Sequence, residues 1–459
     1  MSKYKGHLRP TLGPPFAGIG SMFQGFALVL CLQQESPLPA REVIGPREPN
    51  PLEQVEGSLS MKYRARWTGG QSDSDLYEFL QLRIGDPAKD PFTLSSSSRF
   101  AEDLDGHQHG AGYSPFASLD DAYARRSTAR LYTLYGDLNQ PLPGLQLRGG
   151  RQVLDELPEA IPMDGGTIRF TGQWLSLGAF GGVPVNLFES STRGDAMYGG
   201  WLEVDPWRRA LFRVEELHIR DENLFGLFDN NLLGLSAEQG FGDFRAQARY
   251  TNLQGENRDV TGRLTGTFAD LGLILNAQVT YLFAHEEALS YALDPYSTFL
   301  MAIEPYVEWT VRASQALGAA FGVDLVATQR KFVRGSEDAT YNHEFVHASV
   351  TPHASDWPIP GLSIALSADY WRSTGNDYWT SGADLSIKIH PLVTIGAGTS
   401  YALYSIDALT GEEHDRVRTL YGSLRWKFPP HSVLDLRITQ ERNSIDTFYA
   451  FEVGARHDF

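Results

Sequence analysis

The chain reads as an all-β protein, a transmembrane antiparallel up-and-down β-barrel of about 22 strands (roughly 18–22). Three features predict it. Short segments alternate between apolar and polar residues with period two, and the pattern returns along most of the chain from about residue 57. Tight connections alternate with longer polar ones. No run approaches the roughly 20 apolar residues that a spanning helix needs, although 42% of the 459 residues are apolar. Side chains on a strand point to opposite faces in turn, so each alternating segment has one greasy and one wet face. A sandwich hides the greasy faces against each other, whereas a membrane barrel turns them to lipid. The rhythm of the connections favours the barrel.

In chain order, residues 1–40 have the outline of a secretion signal. Lys3, Lys5 and Arg9 precede a short apolar stretch at residues 26–32, and Leu38-Pro39-Ala40 follows it. Met22 is an alternative start. Residues 41–56, rich in Pro and Glu, read as a flexible periplasmic lead-in, and residues 57–459 as the barrel. Nothing before residue 57 is long enough to form a globular plug. Cys31 is the only cysteine, which excludes a disulfide framework, a zinc cluster or a haem-attachment motif in this sequence.

The first strand places Lys62, Arg64 and Arg66 on one parity against Met61, Tyr63, Ala65 and Trp67 on the other. Lys and Arg rings in a pore attract anions. With Arg83, Arg130 and Arg148 these residues make a candidate basic wall, and Glu304 and Glu308 on a later strand make a candidate acidic one. The competing reading is a set of ordinary wet residues facing a bore.

Residues 130–185 are the most informative internal segment. Arg130-Leu131-Tyr132-Thr133-Leu134-Tyr135 leads to a turn at residues 139–143, and Leu145-Gln146-Leu147-Arg148-Gly149-Gly150-Arg151-Gln152 follows. Asp155 and Glu156 precede Met163-Asp164-Gly165-Gly166, and Leu177-Gly178-Ala179-Phe180-Gly181-Gly182 completes the segment. Glycines let a strand bend or let a neighbouring backbone come close. An arginine beside them reaches into a water-filled bore, and Arg151 has Asp164, Asp155 and Glu156 as candidate partners. Such a pair either shapes a constriction or merely fastens adjacent strands.

The Tyr-bearing strand, turn, Gly-Arg-Gln element and Asp-Gly, in that order, resemble outer-membrane porins of the alginate-export and related substrate-specific groups. That resemblance is close over about 55 residues. It implies a bacterial outer-membrane channel whose charged constriction selects solutes.

Alternation is regular in the second half. Leu273, Leu275, Ala277, Val279, Tyr281 and Phe283 oppose Asn276, Gln278 and Thr280. Val307, Trp309 and Val311 oppose Glu308, Thr310 and Arg312, while Leu362, Ile364, Leu366, Ala368 and Tyr370 oppose Ser363, Ser367 and Asp369. Ala383, Leu385, Ile387 and Ile389 form another greasy stripe, as do Leu420, Leu424, Trp426 and Phe428. In the last segment Tyr449, Phe451, Val453, Ala455 and Phe459 share a parity interrupted by His457, and Glu452, Arg456 and Asp458 take the other. This ending resembles the terminal strand of bacterial outer-membrane barrels, which implies recognition by the barrel-assembly machinery through the strand ending at Phe459.

Tight connections are expected at residues 86–90, 139–143, 205–208, 390–391 and 429–431, and longer ones at 102–127, 184–195, 220–230, 285–297, 332–340 and 407–413. Short turns facing the periplasm and long loops facing outward are the habit of outer-membrane barrels. An even strand count returns the chain to the rim where it began. The 102–127 loop is the candidate for folding into the bore.

Net charge is -17, with no dominant basic segment, which argues against a nucleic-acid partner. Mean hydropathy is -0.28, as expected of a wall that hides its membrane character in alternation. An enzyme is not expected. His343, His347 and Ser349 share a strand parity, which admits a lipid-face hydrolase or a metal site, but their neighbours Tyr341 and Phe345 fit an amphipathic wall better. No cofactor is expected. The expected function is a porin for passive diffusion of small polar or anionic solutes, in contact with outer-membrane lipid in a Gram-negative bacterium. The alternative is a structural sheath around a periplasmic multihaem cytochrome or export complex.

Overall fold

A computed structural model of the chain describes residues 55–69, 71–105, 126–155, 157, 160–185, 194–223, 226–283, 305–333, 344–373, 376–408, 411–443 and 446–459. The secretion-signal segment and most of the lead-in therefore lie outside the described residues, as does most of the 102–127 loop.

Alternating side chains make strands, and the strands close on one another. The first six are β1 (Val55–Thr68), β2 (Gln71–Ile84), β3 (Phe92–Asp103), β4 (Ser127–Asn139), β5 (Leu145–Leu154) and β6 (Ile161–Thr171). Then come β7 (Leu175–Pro184), β8 (Ala196–Val204), β9 (Ala210–Asn223), β10 (Gly226–Phe241), β11 (Phe244–Leu253) and β12 (Glu256–Phe268). After a short 3-10 turn at Ala269–Leu271 follow β13 (Leu273–Leu282), β14 (Tyr306–Leu317), β15 (Phe321–Phe332), β16 (Phe345–Ser355) and β17 (Leu362–Ser373). The last five are β18 (Asn376–His390), β19 (Val393–Ala408), β20 (Gly411–Phe428), β21 (Ser432–Arg442) and β22 (Thr447–Asp458).

Every strand pairs antiparallel with its sequence neighbours, and β1 also pairs with β22, so the 22 strands form one closed barrel. Closure leaves no open edge, the condition for a sheet to cross hydrocarbon. At the seam Ser58 lies opposite Asp458 and Trp67 opposite Tyr449. Beyond them Gly57 and Phe459 exchange two backbone hydrogen bonds of 2.8 and 3.0 Å. Among the described residues no helix is long and apolar enough to cross a membrane.

The greasy parities lie on the outward face. Leu59, Met61 and Trp67 are exposed there, as are Val279, Trp309, Val311, Leu366, Leu385 and Trp426. Aromatic pairs mark both ends of this band. Trp207 with Phe212 (5.6 Å), Phe244 with Phe268 (5.2 Å) and Phe321 with Trp357 (5.1 Å) lie near the rim that holds both chain ends of the barrel. Trp67 with Tyr449 (5.7 Å) and Tyr370 with Trp379 (4.4 Å) lie near the other. Two such girdles flank the apolar band of membrane barrels.

The rim with the chain ends carries only tight connections, for example residues 318–320, where Gly318 takes a left-handed φ of +84° that ordinary residues resist. The opposite rim is more mixed than expected. Strands β9 and β10 run to Asn223 and from Gly226, and β19 and β20 to Ala408 and from Gly411, so two expected loops are largely strand. The connections at 69–70 and 254–255 are also tight. The glycine-rich pair around residues 166–183 is present as β6 and β7.

Candidate pore-lining wall

Cross-strand register determines the chemistry of the inward face, because residues directly opposite on antiparallel strands share a side and lie within side-chain reach. Arg64 lies opposite Asp75, and Arg66 opposite Asp73. Accordingly Arg64 Nη2 donates to Asp75 Oδ2 at 2.6 Å and to the Tyr77 hydroxyl at 2.7 Å. Arg66 donates to Asp73 through Nε at 2.9 Å and reaches Asp75 at 3.4 Å. Lys62 Nζ lies 3.1 Å from Glu452 on β22. The carboxylates are the buried partners: Asp75 is 3% exposed and Asp73 9%. Each charge is thus matched on the adjacent strand.

The arrangement repeats around the bore. Arg148 is opposite Asp137, donates to it at 2.7 Å, and stacks 4.1 Å from the Tyr135 ring centroid. Arg213 donates to Glu203 at 2.9 Å, and Arg249 to the buried Glu215 at 3.0 Å. Glu308 accepts from Arg330 at 2.9 Å, and that guanidinium lies 4.1 Å from the Tyr306 ring centroid. Arg130 falls on the inward parity opposite Arg99, after a bulge in β4. Lys62, Arg64, Arg66 and Arg148 of the candidate basic wall, and Glu308 of the acidic one, are therefore locally paired. Near the seam at the lower rim, the inward side of β1–β3 also borders a cavity of about 570 Å³, lined by Ser58, Gln81, Arg83, Ser95 and Tyr135 among others.

Arg151 and Asp164 need a correction. They do pair, at 2.7 Å (Nε–Oδ1) and 2.6 Å (Nη2–Oδ2), but not in the bore. Arg151 lies opposite Leu134, and Asp164 shares a face with the exposed Ile168 and Phe170. Gln152, the next residue along β5, takes the inward face and accepts a hydrogen bond from Thr167 at 2.9 Å. Strand alternation places the pair outward, where it fastens β5 to β6. Asp155 lies just past the end of β5. Glu156 and Glu304 lie outside the described residues.

Above this level the inward face of the same sector is mostly apolar and buried, with Gln152 and Asn230 among it. Leu154, Ile161, Met163, Met197, Leu217, Ile219 and Leu232 are each no more than 2% exposed and form one cluster with Phe180 and Trp201. A transverse row of paired glycines underlies the change: Gly149 faces Gly166, Gly150 faces Gly165, and Gly165 and Gly166 face Gly182 and Gly181. A Cβ on Gly165 would run into the backbone of Gly181 and Gly182, so the strands come together there only without side chains.

His347 and Ser349 also face inward, opposite Thr328 and Asp369 respectively on neighbouring strands, and not toward lipid. His347 lies 3.4 Å from Asp369 and 5.0 Å from the Trp371 ring centroid. His343 is outside the described residues, and no cluster of three metal-ligating side chains occurs among those described. The acidic partners Asp73, Asp75, Asp137 and Glu215 were not singled out from sequence. Their parity was readable; their register with particular arginines was not.

No protein-family model and no curated protein matches the chain. Among solved structures it is similar to the translocation pore of the P pilus usher PapC, with TM-score 0.52 and 10% identity over 88% of this chain and 99% of that one. Acinetobacter baumannii OccAB3 aligns with TM-score 0.45 and 10% identity over 88% of this chain and 99% of that one. A BenF-like porin from Pseudomonas fluorescens Pf-5 aligns at 0.43 and 10% identity over 88% and 98%. At such identities the likeness to the usher pore is one of fold, a closed β-barrel.

Proposed function

We propose that the chain is a channel of the porin type in the outer membrane of a Gram-negative bacterium, through which small polar and anionic solutes diffuse passively. The observation that carries this reading is the two-faced closed wall. Apolar side chains between aromatic girdles point outward, while Lys62, Arg64, Arg66, Arg130, Arg148 and Glu308 point inward. A closed barrel with that polarity satisfies its backbone in lipid and offers water a charged path. Pairing keeps the wall's field short-ranged, so selectivity arises where a passing ion competes with a fixed partner.

The strand number favours a second reading. Barrels of 16 to 18 strands already leave an aqueous channel, and 22 strands enclose more. A sheath around a periplasmic partner would use that width. Planar-bilayer recording of purified, folded protein separates the two. The channel reading expects steady conductance steps and a solute-dependent block; folded protein that conducts only with a co-purified partner, or not at all, overturns it.

A further inference from the structure

On most of the barrel the outward apolar stripe runs nearly the length of each strand, as from Leu273 through Val279 to Tyr281 on β13. On β5, β6 and β9 it stops halfway, while β7 between them keeps Leu175, Leu177, Ala179 and Val183 outward. Leu145 and Leu147 give way to Gly149 and Arg151, Phe170 and Ile168 to Gly166 and Asp164, and Phe212 and Val214 to Glu216, His218 and Arg220. The outward face of β10 ends likewise in Asn231 and Asp229. This polar region is built. The His218 ring stacks on Tyr198 at 4.5 Å, its Nδ1 lies 2.7 Å from Asn231 Oδ1, and its Nε2 lies 3.5 Å from Asp229. Gly199 and Gly200 leave a groove of about 310 Å³ beside these groups, bordered by Glu216, Leu202, Val214 and Leu233.

Polarity changes on both faces at the same glycine row. Outside, on β5, β6 and β9, apolar gives way to charged; inside, the charged wall of Arg148 and Arg213 gives way to the buried cluster around Met163 and Leu217. Strands β5 and β8 have 10 and 9 residues, about the length that crosses one bilayer, whereas β9 and β10 run on to 14 and 16. Arg151 and Glu216 stand six residues above the lower ends of β5 and β9, the height at which β13 carries the outward Val279.

We propose that the outward face of β5–β10 above the glycine row is a seat for the polar headgroup layer of the outer leaflet, so that the hydrocarbon boundary lies lower beside this sector than beside the opposite wall. The inference rests on the membrane-barrel reading above. A charged side chain is costly at the midplane of a lipid-facing wall and nearly free at its interface, and a bilayer thins beside a short apolar stripe. Lipid headgroups meet these residues without a specific partner: they bring both charges and hydroxyl groups to a surface that itself carries both signs.

Depth labelling tests this. Single thiols are placed in a Cys31→Ser background at Tyr198, which stands six residues above Val204 at the lower end of β8, and at Val279, six residues above Leu273 on β13. Leu202→Cys, outward and below the glycine row, serves as the hydrocarbon-facing control. Each protein is reconstituted into phosphatidylcholine vesicles, its folding is checked by heat-modifiable gel mobility, and a charged maleimide is added. Tyr198→Cys is expected to react at least about tenfold faster than Val279→Cys and Leu202→Cys, as a thiol at the interface rather than in hydrocarbon. Equal slow labelling at all three positions overturns the proposal. So does slow labelling of Tyr198→Cys accompanied by a disulfide-linked dimer through that position, which would place a second copy on the seat. Fast labelling at all three instead overturns the membrane-barrel reading itself.

Discussion

Arg64 and Asp75 face each other across β1 and β2, and the guanidinium meets the carboxylate at 2.6 Å with Asp75 almost wholly buried. Arg66 reaches the same oxygen at 3.4 Å, so one acid holds two cations in place on the bore wall. Asp75→Asn removes that shared charge, so Arg64 loses its carboxylate partner while Arg66 keeps Asp73. We expect the anion-to-cation permeability ratio, from reversal potentials in a salt gradient, to rise by about twofold or more, and Arg64→Ala to move it the other way. Each change should also cost about 1.5–3 kcal/mol in urea unfolding, the range for hydrogen bonds to charged groups. Unchanged reversal potentials in both variants would remove this pair from the permeation path.

Glycines of one row should differ in tolerance according to the side they face. Gly165→Ala forces a Cβ against the backbone of Gly181 and Gly182, whereas Gly181 has open space where a Cβ would go. The first substitution should destabilise the barrel by about 1–3 kcal/mol, as overpacking does, and the second should lie within about 0.5 kcal/mol of wild type. Unfolding midpoints measured in the same detergent decide between this contrast and a uniform glycine effect.

Phe459 contributes to closure through backbone and ring together. Its N–H and C=O both bond to Gly57, and its ring packs where a Gly57 Cβ would sit. Deleting Phe459 removes both, while Phe459→Ala keeps the backbone pair. Assembly in cells, scored as the heat-modifiable fraction, should fall several-fold for the deletion and less for Phe459→Ala. Equal loss would assign the whole effect to the ring.

Acidification should loosen the far rim at the seam. Asp446, in the turn before β22, is held below the usual carboxylate range by the Thr68 hydroxyl and then by the Thr447 N–H, which donates at 2.7 Å. A carboxylate with a depressed folded pKa stabilises fully above its unfolded value, near 4, and loses that contribution as pH falls through the folded value. Wild type and Asp446→Asn should therefore differ in urea midpoint at neutral pH and converge below about pH 4. A difference that persists at low pH would mean that the ionised carboxylate is not what matters.

Much of this was readable in the residues. The parity of Leu273–Phe283, of Leu362–Tyr370 and of the closing strand appears on the wall as expected, because side-chain direction along a strand is a local property with period two. The inward position of Lys62, Arg64 and Arg66 follows from the same rule. Arg151 shows its limit: its place among glycines suggested the bore, yet continuous alternation from Leu147 carries it outward. The pairing of opposed charges was similarly hidden, since Asp75 finds Arg64 only once the length of the hairpin sets the register.

The amino-acid pattern by itself determined that this chain makes strands and which face of each is greasy, since both follow from residues close together in sequence. Only the tertiary structure decided which acid neutralises which base, and where the wall exchanges its inner and outer chemistry. Those depend on inter-strand register and on the approach of glycine backbones, which no single strand contains.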